Sequence, residues 1–150
     1  MYYPRPTMFV LAIMAALTAT TANANTTEPM LASWYGKNFD PRFNQNANPM
    51  ANGEWFRYDD PTTVAHKELP LCTQIKVRGP NDNVLTLVVR DRGPYTFDKE
   101  YNMVRELDVS SAAAKKLGFQ NDGKTFLEIL DIIKPAAEHR YGQPCDSYLG

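Results

Sequence analysis

The chain has 150 residues, of which 43% are hydrophobic and 22% charged, with 16 Lys and Arg against 17 Asp and Glu. This length suits one domain with its own core and leaves no room for a second domain of ordinary size. A formal net charge of −1, without a run of Lys or Arg, excludes the electrostatic footprint of a nucleic-acid-binding protein, whereas a largely uncharged glycan remains a permissible partner.

The first 24 residues have the layout of a secretory signal peptide. Arg5 precedes an apolar run from Met8 to Leu17, and small residues end the segment at Ala24. A membrane anchor is the alternative, but it needs about 20 apolar residues, and no cysteine lies near Ala24 to accept a lipid. We therefore predict a signal peptide at residues 1–24, cleaved after Ala24, and one mature domain at residues 25–150. We expect that domain to make no membrane contact after cleavage and to be periplasmic or secreted.

Most of the mature sequence has the pattern of strands and turns. Leu31 to Tyr35 predicts a short strand, and a long polar loop rich in Asn and Pro follows from Lys37 to Gly53. Thr73 to Arg78 alternates polar and apolar residues, whereas Val84 to Val89 is nearly continuously apolar. These two segments predict a hairpin whose second strand is buried on both faces.

One helix and one further strand follow. Ser111 to Leu117 predicts a short helix, with Ser110 as its N-cap and Gly118 as its C-terminal stop. Thr125 to Ile133 predicts a final strand, in which two acidic residues three positions apart break the alternation. A bulge or partial exposure would explain that break.

The mature domain contains two cysteines, Cys72 and Cys145. An exported chain enters a compartment in which disulfides persist, so we predict that these cysteines pair and fix the C-terminal tail. Two free buried thiols are the alternative. Only His66 and His139 could join the cysteines at a metal, and no CxxC or HxxxH spacing is present. We predict no metal site and no cofactor.

Glu54, His66 and Asp91 each lie close to a glycine or proline that marks a turn. Cleavage of a glycosidic bond requires a proton donor and a negative group that stabilises an oxocarbenium-like transition state, and Asp91 with Glu54 could supply both. The alternatives are a structural ion pair between Asp91 and Arg92, a solvated Glu54, and a hydrogen-bonded His66 without a catalytic role.

Five short motifs occur in order along the chain and together resemble the successive motifs of the rare lipoprotein A family. They are Ala32–Gly36, Ala51–Glu54, Ala65–His66 with Leu69–Pro70, Asp91–Pro94, and Leu107–Ser110 with Ala112–Ala114 and Leu117–Gly118. The resemblance implies an all-β fold, a six-stranded double-psi β-barrel with one or two short helices. It also implies a lytic transglycosylase that acts on peptidoglycan glycan strands, particularly those without stem peptides. The barrel is similar to that of expansins and some endoglucanases.

Carried over to this sequence, the resemblance makes Asp91 the general acid and base, Glu54 the second acidic residue and His66 a polar neighbour that shapes their protonation. In lytic transglycosylation the C6 hydroxyl of the substrate replaces water, so one carboxyl first donates and then takes a proton. The product is a 1,6-anhydromuramic end. We expect the three side chains to lie within about 10 Å of one another in one groove.

Other residues are candidates for substrate binding. Aromatic side chains stack on sugar faces but are as often part of a core, and both interpretations stay open. The substrate-binding candidates are Trp34, Tyr35, Asn52, Trp55, Arg92 and Tyr95.

Arg90 stands where the family usually has Asn and adds a positive charge beside Asp91. The main alternative to an enzyme is a noncatalytic, expansin-like protein that binds cell-wall polysaccharide, and a weaker one is an inhibitor or secreted interaction protein on the same barrel. Glu54 beside Asp91 favours the enzyme, because a binder would need no acidic pair. We expect a monomer.

Overall fold

The computed structural model describes residues 27–36, 49–94, 97–98 and 103–149. The predicted signal peptide and most of the predicted polar loop lie outside the described residues. The elements are β1 (Thr27–Tyr35), β2 (Thr63–His66), β3 (Gln74–Arg78), β4 (Val84–Asp91), β5 (Phe97–Asp98), β6 (Met103–Val104), β7 (Leu107–Ser110), α1 (Ser111–Leu117), β8 (Lys124–Ile133) and a 3₁₀ helix (Cys145–Tyr148).

Six strands close into a barrel in the order β1-β7-β2-β4-β3-β8. Two of the pairings, β1 with β7 and β2 with β4, are parallel, and the other four are antiparallel. The short strands β5 and β6 pair with each other outside the barrel. The predicted all-β fold, a six-stranded double-psi β-barrel, is confirmed.

The predicted hairpin is present as β3 and β4. Ile75 and Val77 of β3 are fully buried, because alternate residues of a strand face the same side. The expectation that β4 is buried on both faces is correct only for its second half, since Val84 and Thr86 are exposed in the part of β4 that does not pair with β2.

The helix has the predicted bounds. The Ser110 hydroxyl accepts a hydrogen bond from the Ala113 amide at 3.1 Å, and Gly118 ends the helix with a φ of 85°. Ala114 and Leu117 are fully buried, so the helix covers the barrel through its small-residue face. No helix in the described ranges is long and apolar enough to cross a bilayer.

The break in the alternation of β8 is a bulge. Lys76 pairs with Asp131, but the next residue, Val77, pairs with Ile129. Leu130 is therefore an extra residue without a partner in β3, which turns the two acidic side chains onto the solvent side of the strand.

The predicted disulfide between Cys72 and Cys145 is confirmed and joins residues 73 positions apart in the sequence. It fixes the C-terminal tail to the start of β3 and packs with Val88 in a small second cluster. The tail also contacts the turn at Gly53, where a Cβ would lie 2.6 Å from the Gly142 nitrogen. A glycine is therefore required for this close approach.

Candidate active site

A row of side chains crosses four neighbouring strands at one level of the barrel. Asp91 of β4 pairs in register with Ala65 of β2, Ala65 with Asp108 of β7, and Asp108 with Ser33 of β1. Neighbouring strands are about 4.8 Å apart, so the Cα atoms of the two aspartates are separated by roughly 10 Å. The side chain between them is the small, buried methyl group of Ala65. We call these four residues the acidic row.

Asp91 is the last residue of β4 and is half-buried. Its Oδ1 accepts a hydrogen bond from the Ala51 amide at 3.0 Å and from the Arg92 amide at 2.9 Å. Ala51 belongs to a tight turn in which the Gly53 amide donates to the Met50 carbonyl. Two backbone donors therefore fix the orientation of this carboxyl group.

A register shift separates Asp91 from its chain neighbour. Val64 pairs with Val89, but Ala65 pairs with Asp91, so Arg90 is an extra residue in β4 without a partner in β2. A bulge of this kind redirects side chains and is frequent beside active sites.

Asp108 is the second carboxylate of the acidic row. Its Oδ1 accepts a hydrogen bond from the Ser33 hydroxyl at 2.8 Å, and the Arg105 guanidinium donates to the same hydroxyl at 2.9 Å. Burial raises the pKa of Asp108 and the charge of Asp91 adds to that rise, whereas Ser33 and Arg105 oppose it. The sequence analysis named Asp108 only within a motif. The available signal was a carboxylate between the apolar residues of a strand.

Tyr35 places a buried hydroxyl near both carboxylates. Burial, followed by the charges of Asp91 and Asp108, raises the pKa of Tyr35, so the hydroxyl stays protonated. It is close to Asp91, yet it makes no hydrogen bond of normal geometry with any residue in the described part of the chain. The ring stacks on Phe56 with centroids 4.4 Å apart, so one of its faces is already covered.

Glu54 lies at the end of the turn that holds Asp91, but its contacts differ from those of Asp91. Its Oε2 accepts hydrogen bonds from the Asn52 amide group and, at 3.2 Å, from the Cys145 backbone amide. The same oxygen lies 3.4 Å from the Arg90 Nε, and the exposed fractions of the Arg90 and Glu54 side chains are 8% and 26%. The positive charge next to Asp91 in sequence is therefore paired with Glu54.

His66 ends β2, one position after Ala65. Its Nδ1 accepts hydrogen bonds from the backbone amides of Glu68 and Leu69, each at 3.0 Å. This contact places the single ring proton on Nε2. Burial lowers the pKa of His66, and Arg92 and Lys67 add to the effect while Glu68 opposes it. The ring is thus a neutral hydrogen-bond donor through Nε2.

The predicted substrate-binding residues have different surroundings. Trp34 donates to the Gln120 carbonyl at 3.0 Å and packs against the core, whereas Trp55 is 65% exposed. Asn52 is fully buried and organises the turn, since its Oδ1 accepts from the Glu54 amide at 2.9 Å. Tyr95 lies outside the described residues.

Arg92 follows Asp91 in the sequence, whereas Arg90 precedes it. It is half-buried, and its Nη1 donates to the carbonyls of His66 at 3.2 Å and Leu69 at 2.8 Å. It therefore links the end of β4 to the turn after β2.

One group of side chains has the composition of a metal site. The ligand atoms of Cys72, His139 and Cys145 lie within 4.8 Å of one another. The two sulfur atoms are joined in the disulfide, and a disulfide does not offer the thiolates that bind zinc. The geometry therefore reflects the packing of His139 over the bridge.

A closed barrel with parallel and antiparallel pairings and an amide-held aspartate in an acidic row defines a double-psi β-barrel protein with an acidic site. The family model described as lytic transglycolase matches residues 27–129. The chain belongs to this family, which confirms the resemblance found in the sequence.

Two relatives illustrate the match. The endolytic peptidoglycan transglycosylase RlpA of Neisseria meningitidis serogroup A is 37% identical over 115 residues, covering 73% of this chain and 42% of that protein. The protein of the same name from Pseudomonas aeruginosa (strain UCBPP-PA14) is 38% identical over 120 residues, covering 79% of this chain and 31% of that protein. The chain thus spans less than half the length of these relatives. Among solved structures, the Streptomyces papain inhibitor aligns with a TM-score of 0.49 and 18% identity, covering 73% of this chain and 98% of that chain.

Proposed function

We propose that the chain is an exported lytic transglycosylase that cleaves peptidoglycan glycan strands, with Asp91 as its general acid and base. The observation that carries this proposal is the position of Asp91, held by two backbone amides in the acidic row across Ala65 from Asp108. Membership of the lytic transglycolase family and the names of the relatives support the same activity.

The reaction needs one carboxyl group that changes its protonation twice. The backbone donors occupy Oδ1 of Asp91, so Oδ2 is the oxygen available to carry the proton. Asp91 protonates the glycosidic oxygen as the bond to C1 of the muramic residue breaks, and the C6 hydroxyl of that residue then attacks C1. Asp91 accepts the hydroxyl proton, which leaves a 1,6-anhydromuramic end and restores the acid.

Neighbouring groups support this step. The carboxylate of Asp108 stabilises the positive charge that develops on the sugar, and the protonated hydroxyl of Tyr35 donates to a substrate oxygen or to Asp91. His66 donates through Nε2. Glu54 is the second acidic residue of the proposed site. Through its hydrogen bonds with Asn52 it also positions the turn that holds Asp91.

One observation favours the alternative of a noncatalytic, expansin-like protein that binds cell-wall polysaccharide. The guanidinium of Arg90 is paired with the carboxylate of Glu54 and compensates its charge. Glu54 is the acidic residue that favours an enzyme over a pure binder. In that case the acidic row and the exposed Trp55 would bind a glycan strand without breaking it.

Incubation of the mature chain, residues 25–150, with purified peptidoglycan separates these functions. The enzyme releases fragments with anhydromuramic ends, identified by their mass, and Asp91→Asn lowers the rate by about 10²- to 10⁴-fold. Asp122→Asn is the matched control, because Asp122 is an exposed turn residue outside the acidic row. Reducing ends would indicate a hydrolase, and binding without fragments on long incubation would establish the alternative.

A further inference from the structure

The turn at residues 50–54, which we call the active-site turn, holds the proposed acid but lies outside the barrel strands. The Ala51 amide donates to Oδ1 of Asp91 at 3.0 Å. Within the turn, the Gly53 amide donates to the Met50 carbonyl at 2.8 Å. Because the segment does not pair with a strand, the place of the Ala51 amide depends on the groups to which the turn is bound.

The active-site turn is bound both to β4 and to the C-terminal tail. From β4, the Arg90 carbonyl accepts a hydrogen bond from the Asn52 amide at 3.0 Å. From the tail, the Gly142 amide donates to the Asn52 carbonyl at 2.9 Å. The Cys145 amide donates to Oε2 of Glu54 at 3.2 Å. The side-chain amide of Asn52, which is fully buried, also donates to the Cys145 sulfur at 3.5 Å. The tail therefore binds both the backbone and the side chain of the central residue of the turn.

The disulfide holds the tail against this turn. The tail follows β8 and lies beyond residues 27–129, the part of the chain that the family model matches. The bond joins the tail to a point two residues before β3, and both Cys72 and Cys145 are buried. The ion pair of Arg90 with Asp146 is a second attachment, but the Asp146 side chain is 82% exposed, and exposed pairs contribute little. Loss of the disulfide would therefore loosen the hydrogen bonds between the tail and the turn.

We propose that the C-terminal tail is a positioning element of the active site, which keeps the active-site turn where the Ala51 amide orients the carboxyl group of Asp91. This inference rests on the proposed function for the reaction that Asp91 performs. Rotation of a carboxyl group about its Cβ–Cγ bond is weakly restrained, so the loss of one backbone donor lets Oδ2 leave its orientation towards the glycosidic oxygen. A catalytic group misplaced by about 1 Å can lose about 10²-fold in rate. Detachment of the tail should therefore lower turnover while the barrel stays folded.

The first test follows the Ala51 amide by NMR and does not depend on activity. In the mature oxidised chain, Asp91→Asn replaces the carboxyl group with a weaker acceptor, so the resonance of the Ala51 amide proton shifts. In a chain that also carries Cys72→Ala and Cys145→Ala, this response to Asp91→Asn is lost. The Arg92 amide is the internal control, because it donates to Asp91 at 2.9 Å from the next position in the sequence and responds in both chains. An Ala51 response that persists without the disulfide overturns the proposal.

The second test uses Gly142→Val, which retains the disulfide. Gly142 and Gly123 have φ values of 85° and 77°, and no atom of the described residues lies within 4 Å of a Cβ at either position. A β-branched residue is an outlier in this conformation, so Gly142→Val and the control Gly123→Val strain their turns to a similar degree. Gly142 donates to the active-site turn, whereas Gly123 lies between α1 and β8.

On soluble glycan strands, Gly142→Val lowers kcat by about 10- to 100-fold at an unchanged KM and removes the Ala51 response. Gly123→Val retains both the turnover and the response. An equal loss of kcat in the two variants contradicts the proposal, because strain alone would then explain the loss. An unchanged kcat in Gly142→Val contradicts it as well.

Cleavage of glycan strands by the wild type is the separate test of the proposed function. A wild type that releases no fragments refutes the transglycosylase, and the Ala51 resonance then still decides whether the tail orients Asp91. Loss of the Ala51 response without a loss of kcat refutes the positioning role and leaves the enzyme.

Discussion

Removal of the disulfide with Cys72→Ala and Cys145→Ala together should lower the free energy of unfolding by about 4 kcal/mol. The cross-link closes a loop over a sequence separation of 73 residues, and the chain-entropy relation gives about 15 cal/mol/K for a loop of that size. Domains of this kind unfold with about 5–15 kcal/mol in total, so the loss is a large fraction. The tail contacts at Gly142 and Cys145 weaken with the cross-link.

Guanidinium chloride unfolding of the mature oxidised protein and of the double variant, followed by tryptophan fluorescence, measures this difference. Reduced wild type is the control and should unfold close to the double variant. The m-value should rise in the double variant, because an unfolded chain without the cross-link exposes more surface. A loss below about 1 kcal/mol would refute the reasoning, because it would mean that the cross-link does not restrict the unfolded chain.

Two further predictions concern charges near the acidic row. Asp108→Asn should stabilise the protein at pH 7. Burial raises the pKa of Asp108 in the folded state, so the charged carboxylate disfavours folding above that pKa. Each unit of difference between the folded and unfolded pKa corresponds to about 1.4 kcal/mol of stability. The gain in stability, measured by thermal unfolding, should disappear as the pH falls through the folded pKa of Asp108 towards its unfolded pKa. A gain that persists at low pH would contradict this prediction. Glu54→Gln should destabilise by about 3 kcal/mol or more, because it leaves the 8%-exposed Arg90 side chain without its main partner, and Arg90→Gln in the same chain should restore most of the loss. Additive losses in chemical unfolding would show that the two side chains do not interact.

The elements that could be predicted from the sequence are those with local signals. The helix at Ser111–Leu117 has both caps within nine consecutive residues, and the hairpin of β3 and β4 joins two apolar segments through one turn. The disulfide could be predicted from the expected export of the chain and from its two cysteines.

The strands β2 and β7 were not predicted as strands because each has four residues, too few for a periodic pattern. They pair with each other, and their other partners, β4 and β1, are also distant in sequence. The place of Asp108 in the site depends on the register of these two strands, so it could not be found before the pairings were known.

The register also separates Arg90 from the proposed general acid, although the two residues are adjacent in the sequence. In a regular parallel pairing, successive residues of β4 would pair in turn with β2, and Arg90 would have a β2 partner of its own. The shift between Val64 and Ala65 leaves Arg90 without a β2 partner and aligns Asp91 with Ala65. Arg90 then pairs with Glu54 and with the tail at Asp146. A single extra residue in β4 thus gives two adjacent charges separate roles: Asp91 belongs to the acidic row, and Arg90 fastens the disulfide-held tail.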